Sequence, residues 1–277
     1  LPPLTAAQPA AGGGGGTPAV TEPPARVKAD TAHLTIKDLA VAGDPSRIIY
    51  PSATLEAGKL YPAVVFAHGH GMDQTQLTER TDLAEAAAAE GWLAAAGAFG
   101  GRAAWANDIA QKSVAALVAE LVAHHQADPR RIYLVGFSMG GGTALLAAEN
   151  AAALAFKPAA VVSTQGFTDL KAMTQLEAGG GSYAASINFA YGGRLDEISA
   201  QAHSPVDQAQ KLAGIPVYLE HGEADTAVPA THSTHMAARL TELGTPAELH
   251  TYPGMGHSEE TIHVSAIMGF LRGKAAP

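Results

Sequence analysis

The sequence predicts an α/β protein with a doubly wound, mostly parallel sheet. Short apolar runs of strand length alternate with helical stretches of ten or more residues, and this alternation is typical of a parallel sheet that helices cover on both faces. Several apolar runs end directly in glycine-containing loops, such as His68-Gly-His-Gly71. The chain has 277 residues, which is enough to bury one large core.

The predicted strands are the apolar runs, beginning with two short strands at 33–36 and 47–50. Residues 63–67 read Ala-Val-Val-Phe-Ala, an uninterrupted run that is typical of a buried strand. Each later strand is separated from the previous one by a helical stretch or by a loop. The other predicted strands cover residues 92–99, 131–135, 159–162, 215–220 and 247–252.

The predicted helices lie between or after these strands. The first, at 77–90, is rich in alanine and ends at Gly91. The second, at 108–125, has apolar residues at helical spacing and is closed by Asp128-Pro129. Further helices are predicted at 140–150, 231–243 and 260–271.

Residues 1–30 are expected to form a disordered tail before one folded domain, residues 31–277. The tail is rich in proline, glycine and alanine, so it carries too little large apolar surface to offset the entropy of ordering. Within the domain, the alternation of strands and helices breaks down at 166–214. This stretch is too long for a plain loop and is expected to form a small cap-like insertion. An ordinary crossover with a long helix is the alternative.

Composition excludes several kinds of site. The chain has 17 Lys and Arg against 26 Asp and Glu, a net charge of −9, which argues against nucleic-acid binding. It has no cysteine, so disulfides, thiolate metal sites and a cysteine nucleophile are excluded. No membrane span is expected, because glycines interrupt the longest uncharged run, 132–148. No cofactor and no metal are expected, since His232 and His235 lack a third ligand nearby. Nothing in the composition indicates the oligomeric state.

The strongest chemical signal is Gly136-Phe-Ser-Met-Gly140, which lies between a predicted strand and a predicted helix. In that context the G-x-S-x-G pattern forms a sharp turn that presents the serine above the carboxyl ends of the strands. The N-terminus of the following helix adds partial positive charge, which stabilises an oxyanion. Ser138 is therefore the predicted nucleophile. An idle serine at a glycine-rich helix start is the alternative.

A serine nucleophile needs a base that a carboxylate orients. In this topology the acid and then the histidine follow the serine along the chain. Asp225 and His257 follow the strands at 215–220 and 247–252, where open α/β sheets build their active sites. His257 is favoured among twelve histidines because a glycine-containing loop presents it before the last helix. The rivals of Asp225 are Glu223, Asp169, Asp196 and Asp207.

An oxyanion hole needs two backbone N–H groups that point at the tetrahedral oxygen. The predicted donors are Met139, directly after the nucleophile, and His70 in the loop after the strand at 63–67. Gly71 is the alternative to His70, and His68 is expected to brace the loop. The aromatic residues near these loops could line a substrate pocket or could equally be core or dimer contacts. The residues predicted to bind substrate are Gly71, Trp105, Phe167, Tyr183 and Tyr191.

These motifs resemble the α/β-hydrolase superfamily, and in particular the dienelactone-hydrolase-like proteins and the prolyl-oligopeptidase-type catalytic domains. The resemblance implies a fold of the α/β-hydrolase type and a Ser-His-Asp triad, and it leaves the substrate open. Dienelactone hydrolases proper use a cysteine nucleophile, so their activity is not implied. The Ser-Met-Gly-Gly-Gly run is also similar to bacterial cutinases and polyester hydrolases, whose stabilising disulfide is absent here. The matching stretches are 65–71, 105–108, 128–141, 221–225 and 254–258.

Three functions are compatible with these observations. The first is a serine esterase that cleaves a small-molecule or polymeric ester, and the second is an oligopeptidase-type peptidase or amidase. The third is a non-catalytic binding protein on the same fold, against which the three filled triad positions argue. The start at Leu1 without an initiator Met favours a secreted or periplasmic protein. A shortened chain and a cytoplasmic location are the alternatives.

Overall fold

The computed structural model describes residues 34–176, 183–245, 247–259 and 262–274. The predicted tail at 1–30 lies outside the described residues, as does the part of the predicted cap at 177–182. Among the described residues, the longest helix has 17 residues, and none is long and apolar enough to cross a bilayer.

The predicted fold class is confirmed by a single eight-stranded sheet in the order β1-β2-β4-β3-β5-β6-β7-β8. Strand β2 runs antiparallel to β1 and β4, and all the other neighbouring strands are parallel. The strands are β1 (Thr35–Val41), β2 (Asp44–Tyr50), β3 (Tyr61–Ala67), β4 (Leu93–Gly97), β5 (Ala127–Phe137), β6 (Ala160–Thr164), β7 (Val217–Gly222) and β8 (Glu248–Tyr252).

Ten α-helices and one 3₁₀ helix accompany this sheet within the described residues. They are α1 (Gln76–Glu79), α2 (Leu83–Ala89), α3 (Asp108–His124), α4 (Met139–Glu149), α5 (Leu170–Gln175), α6 (Ala184–Ala190), α7 (Glu197–Ala202), α8 (Pro205–Gln208), the 3₁₀ helix Ala209–Leu212, α9 (Thr231–Glu242) and α10 (Val264–Leu271).

Both faces of the central strands are buried, which explains the uninterrupted apolar runs in the sequence. Along β3, Val65 packs into the core on the side of α3, α4 and α9, whereas Val64 and Phe66 pack on the side of α2 and α10. Successive side chains of a strand point to opposite faces, so a strand between two helical layers must be apolar at every position. All seven residues of β3 are buried.

Two predicted elements differ in the structure. The helix predicted at 77–90 is broken at Arg80–Asp82 into α1 and α2, because the Thr81 hydroxyl bonds locally to the Leu77 carbonyl and accepts from the Leu83 N–H. Ser and Thr side chains compete with helical backbone bonds in this way. Asp128-Pro129 lies inside β5 rather than closing a helix. The strand register shifts there between Tyr61 and Ala63, and proline is tolerated at such irregularities.

Residues 166–214 contain short helices and the 3₁₀ helix in their described part. They enclose a third apolar cluster, separate from the two clusters that cover the sheet. This cluster joins Met173 and Ile187 of the segment to Met139 of α4 and to Trp105 and Val228 of the surrounding loops. The segment therefore packs over the carboxyl ends of the strands, close to the predicted nucleophile.

Candidate active site

Ser138 lies on a strained turn between β5 and α4, with φ 57° and ψ −121°. A positive φ is rare for residues other than glycine. The Ser138 N–H donates to the Thr164 carbonyl at 2.9 Å, which ties the turn to β6. The flanking glycines are required by crowding: a Cβ on Gly136 would overlap the Gly140 carbonyl, and a Cβ on Gly140 would overlap the Ala67 carbonyl. The backbones of the turn, α4 and β3 therefore approach too closely for any side chain.

The structure brings Ser138, His257 and Asp225 together in one hydrogen-bonded chain. The distance from His257 Nε2 to Ser138 Oγ is 2.8 Å, and that from His257 Nδ1 to Asp225 Oδ2 is 2.6 Å. In a neutral imidazole one ring nitrogen donates and the other accepts. With Nδ1 donating to the carboxylate, Nε2 is free to accept the proton of the Ser138 hydroxyl.

The Asp225 carboxylate is buried and fully hydrogen-bonded. Its Oδ1 accepts the N–H groups of Ala227 and Val228, each at 2.9 Å, and its Oδ2 lies 3.2 Å from His221 Nε2 as well as against His257. Burial acts to raise the pKa of the Asp225 carboxyl, but the bonds from His221 and His257 outweigh it and hold the pKa well below its usual range. Asp225 is therefore ionised whenever His257 can act as a base.

The two predicted oxyanion-hole donors, the N–H groups of Met139 and His70, lie on chain segments next to Ser138. Met139 is the first residue of α4, and such an N–H has no acceptor within its own helix. The loop after β3 lies against Ser138, because a Cβ on Gly69 would be 3.6 Å from Ser138 Cβ. In this loop the N–H groups of Gly69, Gly71 and Met72 are all bonded within the fold. The His70 N–H has no acceptor among the described residues.

Side chains around the loop after β3 fix its shape. The two ring nitrogens of His68 each lie 2.9 Å from a backbone carbonyl oxygen, that of Gly69 and that of Ala98. The Gln76 side chain accepts from the Gly69 N–H at 2.7 Å and donates to Glu259 at 2.8 Å. Gln76 thereby joins this loop to the His257 loop, a role for which no sequence pattern gave a signal.

The aromatic residues predicted to line a pocket fall into two groups. The rings of Trp105 and Tyr183 lie 5.1 Å apart, and the His70 ring lies 5.4 Å from each of them. Phe167 is completely buried beside the Trp105 ring, and the Tyr191 hydroxyl donates to the Trp105 carbonyl. Phe167 therefore packs against the Trp105 ring, and Tyr191 bonds the Trp105 backbone.

The rival acids lie away from the His257 imidazole and have other surroundings. Asp169 and Asp196 accept N–H groups at the starts of α5 and α7. Glu223 accepts from the Thr251 hydroxyl at 2.8 Å, and Asp207 lies in α8. In the described part of the structure, Asp225 is the carboxylate that bonds His257 Nδ1.

His232 and His235 do not form part of a metal centre in the described residues, where no group of three metal-ligating side chains occurs. His232 Nδ1 instead accepts from the N–H groups of Thr168 and Asp169. Burial lowers the pKa of the His232 imidazole to about 4. Its neutral form is consistent with this accepting role.

Comparison with known proteins agrees with this architecture. Acyl-protein thioesterase 1 of Gibberella zeae is 30% identical over 149 residues, which are 54% of this chain and 50% of that protein. An uncharacterized secreted protein of Arthroderma benhamiae is 47% identical over 46 residues, 17% of this chain and 5% of that protein. The chain thus spans about half of the first relative and a small part of the second.

Solved structures show the same fold along most of the chain. A puromycin-hydrolyzing peptidase of Mycobacterium tuberculosis matches with a TM-score of 0.70 and 24% identity, over 86% of this chain and 38% of the peptidase. The fluorophosphonate-binding serine hydrolase F of Staphylococcus aureus matches with a TM-score of 0.69 and 15% identity, over 86% of this chain and 99% of its own.

The fold and a family match together make the chain a serine hydrolase of the α/β-hydrolase type. Residues 102–272 match the model of the prolyl oligopeptidase family. The chain belongs to this family.

Proposed function

We propose that this protein is a carboxylic ester hydrolase that forms an acyl-enzyme on Ser138. The observation that carries the proposal is the continuous relay from Ser138 Oγ through His257 to Asp225, with links of 2.8 Å and 2.6 Å. A nucleophile, a base within hydrogen-bond reach and a group that orients the base are the parts that covalent catalysis by serine requires.

In the first half of the reaction, Ser138 Oγ attacks the ester carbonyl while His257 Nε2 takes the hydroxyl proton. Asp225 holds Nδ1–H and stabilises the imidazolium. The carbonyl oxygen becomes an oxyanion that accepts from the His70 and Met139 N–H groups. The tetrahedral intermediate collapses, the bond to the alcohol breaks, and His257 returns its proton to the leaving alkoxide.

In the second half, water attacks the acyl group on Ser138. His257 takes a proton from this water and then gives it to Ser138 Oγ as the acid product leaves, so the enzyme is restored. The same two N–H groups stabilise the second oxyanion. Because the Asp225 pKa is far below its usual range, its charge persists through the cycle.

The wall of the site favours an apolar acyl or aryl group. Trp105 and Tyr183 are packed edge to face with ring centroids 5.1 Å apart. The thioether of Met139 accepts from the backbone N–H of Trp105. Trp105 and Met139 are only 1% and 3% exposed, so the apolar contact area for a substrate comes from the partly exposed Tyr183. The relationship to an acyl-protein thioesterase supports an acyl ester or thioester as the substrate class.

Residues 166–214 are proposed to act as a cap over this site. In their described part, three side-chain bonds join α6 to the loops around the site. The Trp105 indole N–H donates to Ser186 Oγ at 2.8 Å, His70 Nε2 lies 2.9 Å from the same oxygen, and the Asn107 amide donates to the Ala190 carbonyl at 3.0 Å. Helix α6 therefore shares a hydrogen-bonded cluster with the side chain of His70.

The decisive experiment compares hydrolysis of p-nitrophenyl butyrate by the full chain and by Ser138→Ala. Loss of the nucleophile is expected to lower kcat by several orders of magnitude, because removing a triad member leaves only the oxyanion hole and binding. Ser265→Ala, an exposed position on α10, is the control and is expected to keep full activity. Unchanged turnover by Ser138→Ala would exclude the proposed mechanism.

A peptidase or amidase is the second candidate, because the chain belongs to the prolyl oligopeptidase family. The same triad can cleave amides if His257 protonates the poorer leaving group. Aminoacyl and peptidyl p-nitroanilides, assayed beside the matching esters, separate the two. We expect higher kcat/KM for the esters, and the reverse order would make the peptidase the better description.

We also propose that the protein is exported. The relationship to a secreted protein supports this location over a limited length of chain. Fractionation of the producing organism with an antibody to the chain is expected to place it outside the cytoplasm.

A further inference from the structure

Gln165 follows β6 and lies beneath the catalytic histidine. Its side chain is 2% exposed, and its amide reaches the backbone on both sides of His257. Nε2 donates to the Gly256 carbonyl at 3.2 Å, and Oε1 accepts the Ser258 N–H at 3.1 Å. The Gln165 side chain thus bonds the backbone on both sides of His257, whose imidazole has to bond Ser138 and Asp225 at the same time.

The backbone of Gln165 is bonded to the sheet. The Gln165 N–H donates to the Glu220 carbonyl of β7 at 2.8 Å, which continues the parallel pairing of β6 with β7. Gln165 has a φ of 51°, a region where glycine is the usual residue. Glycine at this position would relieve the backbone and lose both side-chain bonds to the loop.

The His257 loop is irregular backbone after β8, so side-chain and backbone bonds to neighbouring elements fix its position. A Cβ on Gly222 would overlap the Met255 carbonyl, so the loop lies directly on the end of β7. The Ala224 N–H bonds to that same Met255 carbonyl at 2.9 Å. This bond fixes the approach to His257, whereas Gln165 fixes the peptide groups that flank it.

We propose that Gln165 is a positioning residue, which sets the His257 imidazole between Ser138 and Asp225 by hydrogen-bonding the backbone at Gly256 and Ser258. The proposal rests on the proposed function of the triad. It assigns to Gln165 no contact with substrate. Its effect should therefore appear in kcat and in the imidazole environment, with little effect on KM.

The test compares Gln165→Leu, which removes both bonds at similar size, with Gln126→Leu. Gln126 is a matched control at the opposite end of the sheet: its φ is 57° and its amide donates to the backbone carbonyls of Glu56 and Lys59. Both variants lose a backbone-directed amide, but only Gln165 faces the His257 loop. Gln165→Glu keeps the acceptor for the Ser258 N–H and serves if Gln165→Leu does not fold.

Three quantities are measured on the full chain: kcat and KM for p-nitrophenyl butyrate, the melting temperature, and the low-field proton signal of His257 Nδ1–H, which His257→Ala assigns. We expect Gln165→Leu to lower kcat on the order of 10²-fold, as small misplacements of catalytic groups do, with KM within about twofold. Gln165→Glu should lower kcat less. Gln126→Leu, which removes bonds that are exposed, should leave kcat unchanged and lower the melting temperature less than Gln165→Leu does.

The proton signal separates this proposal from the proposed function, because it requires no substrate. A shifted or lost His257 signal in the Gln165 variants and an unchanged one in Gln126→Leu supports positioning, even if the wild-type chain cleaves no ester. An unchanged signal together with wild-type kcat in the Gln165 variants would overturn it. Equal losses of kcat in Gln165→Leu and Gln126→Leu would also overturn it, since the effect would then be general destabilisation.

Discussion

At the scale of single residues, backbone strain is concentrated where the chemistry is proposed. Eight non-glycine residues have a positive φ in the described part of the chain, and five of them follow the carboxyl ends of β4, β5 and β6. Strained residues persist only where surrounding bonds over-determine them. Ser138 and Gln165 are held in this way by β6 and β7. The five are Phe99, Trp105, Ala106, Ser138 and Gln165.

Glu149, at the end of α4, is a buried carboxyl group that is expected to destabilise the fold. Neither carboxyl oxygen has a hydrogen-bond partner among the described residues, and burial raises the pKa of Glu149 well above its usual value. The folded chain therefore holds a proton that the unfolded chain releases above about pH 4.3. Folding stability is expected to fall as the pH rises from there towards the folded pKa.

Replacing Glu149 with Met should consequently stabilise the protein at neutral pH. Met has a similar length, favours helix and needs no hydrogen bond, so the free energy of unfolding at pH 7 should rise by about 1–3 kcal/mol. The gain should shrink towards pH 4, where the wild-type carboxyl is protonated in both states.

Urea unfolding between pH 4 and pH 8 measures both effects. Glu242→Met, at the exposed end of α9, is the control and should change stability little. A less stable Glu149→Met at pH 7, or a pH dependence equal to that of the wild type, would contradict this interpretation of Glu149.

The three residues of the relay could be predicted from the sequence. The residues that hydrogen-bond the loops carrying them could not. Ser138 lies in a motif whose strand and helix context is readable, and His257 follows a strand in a glycine-containing loop. Gln76 and Gln165 act through single amides on backbone atoms, and a glutamine after a strand has no distinctive pattern. Aromatic residues in a core and in a cleft are alike in sequence, so the sequence alone does not decide whether Phe167 and Tyr191 contact substrate or pack against Trp105.

At the scale of elements, the turn between β5 and α4 depends on glycines that differ from glycines elsewhere. A Cβ on Gly140 would overlap the backbone of Ala67, whereas a Cβ on Gly269 of α10 would meet nothing within 4 Å. Gly140 is thus required for packing. Gly269 is only a flexible residue in an exposed helix position.

Alanine at these two positions should therefore have opposite effects. Gly140→Ala should lower the free energy of unfolding by about 3 kcal/mol or more, since backbone must move to admit the methyl group. Gly269→Ala should raise it by about 0.5–1 kcal/mol, because alanine loses less entropy in a helix. Chemical denaturation gives both values, and a neutral Gly140→Ala would show that the turn is looser than this geometry requires.

Element types were predicted well and element ends less so. The helix expected at 77–90 is divided because one hydroxyl, that of Thr81, satisfies backbone groups on both sides of the break. Strand β5 begins four residues earlier than the expected start at 131, at Ala127, since the irregular pairing with β3 accommodates Pro129. Both differences arise from local bonding that apolar periodicity does not report.

At the scale of the whole molecule, the parallel sheet brings distant parts of the chain to one edge. The loops after β3, β5, β7 and β8 all leave the carboxyl ends of parallel strands in one half of the sheet, so His70, Ser138, Asp225 and His257 lie at one edge although they span most of the domain. Open α/β sheets place their sites at such an edge. The segment at 166–214 covers the same edge, which is consistent with its proposed role as a cap.

The central claim is that one hydroxyl at this edge, Ser138, is activated by the relay. The most direct measurement is intact-mass and peptide mass analysis of the full chain after exposure to a fluorophosphonate probe. The account predicts one probe per chain, attached to Ser138, no adduct in Ser138→Ala and strongly slowed labelling in His257→Ala. An adduct on another residue, or undiminished labelling of Ser138→Ala, would contradict it.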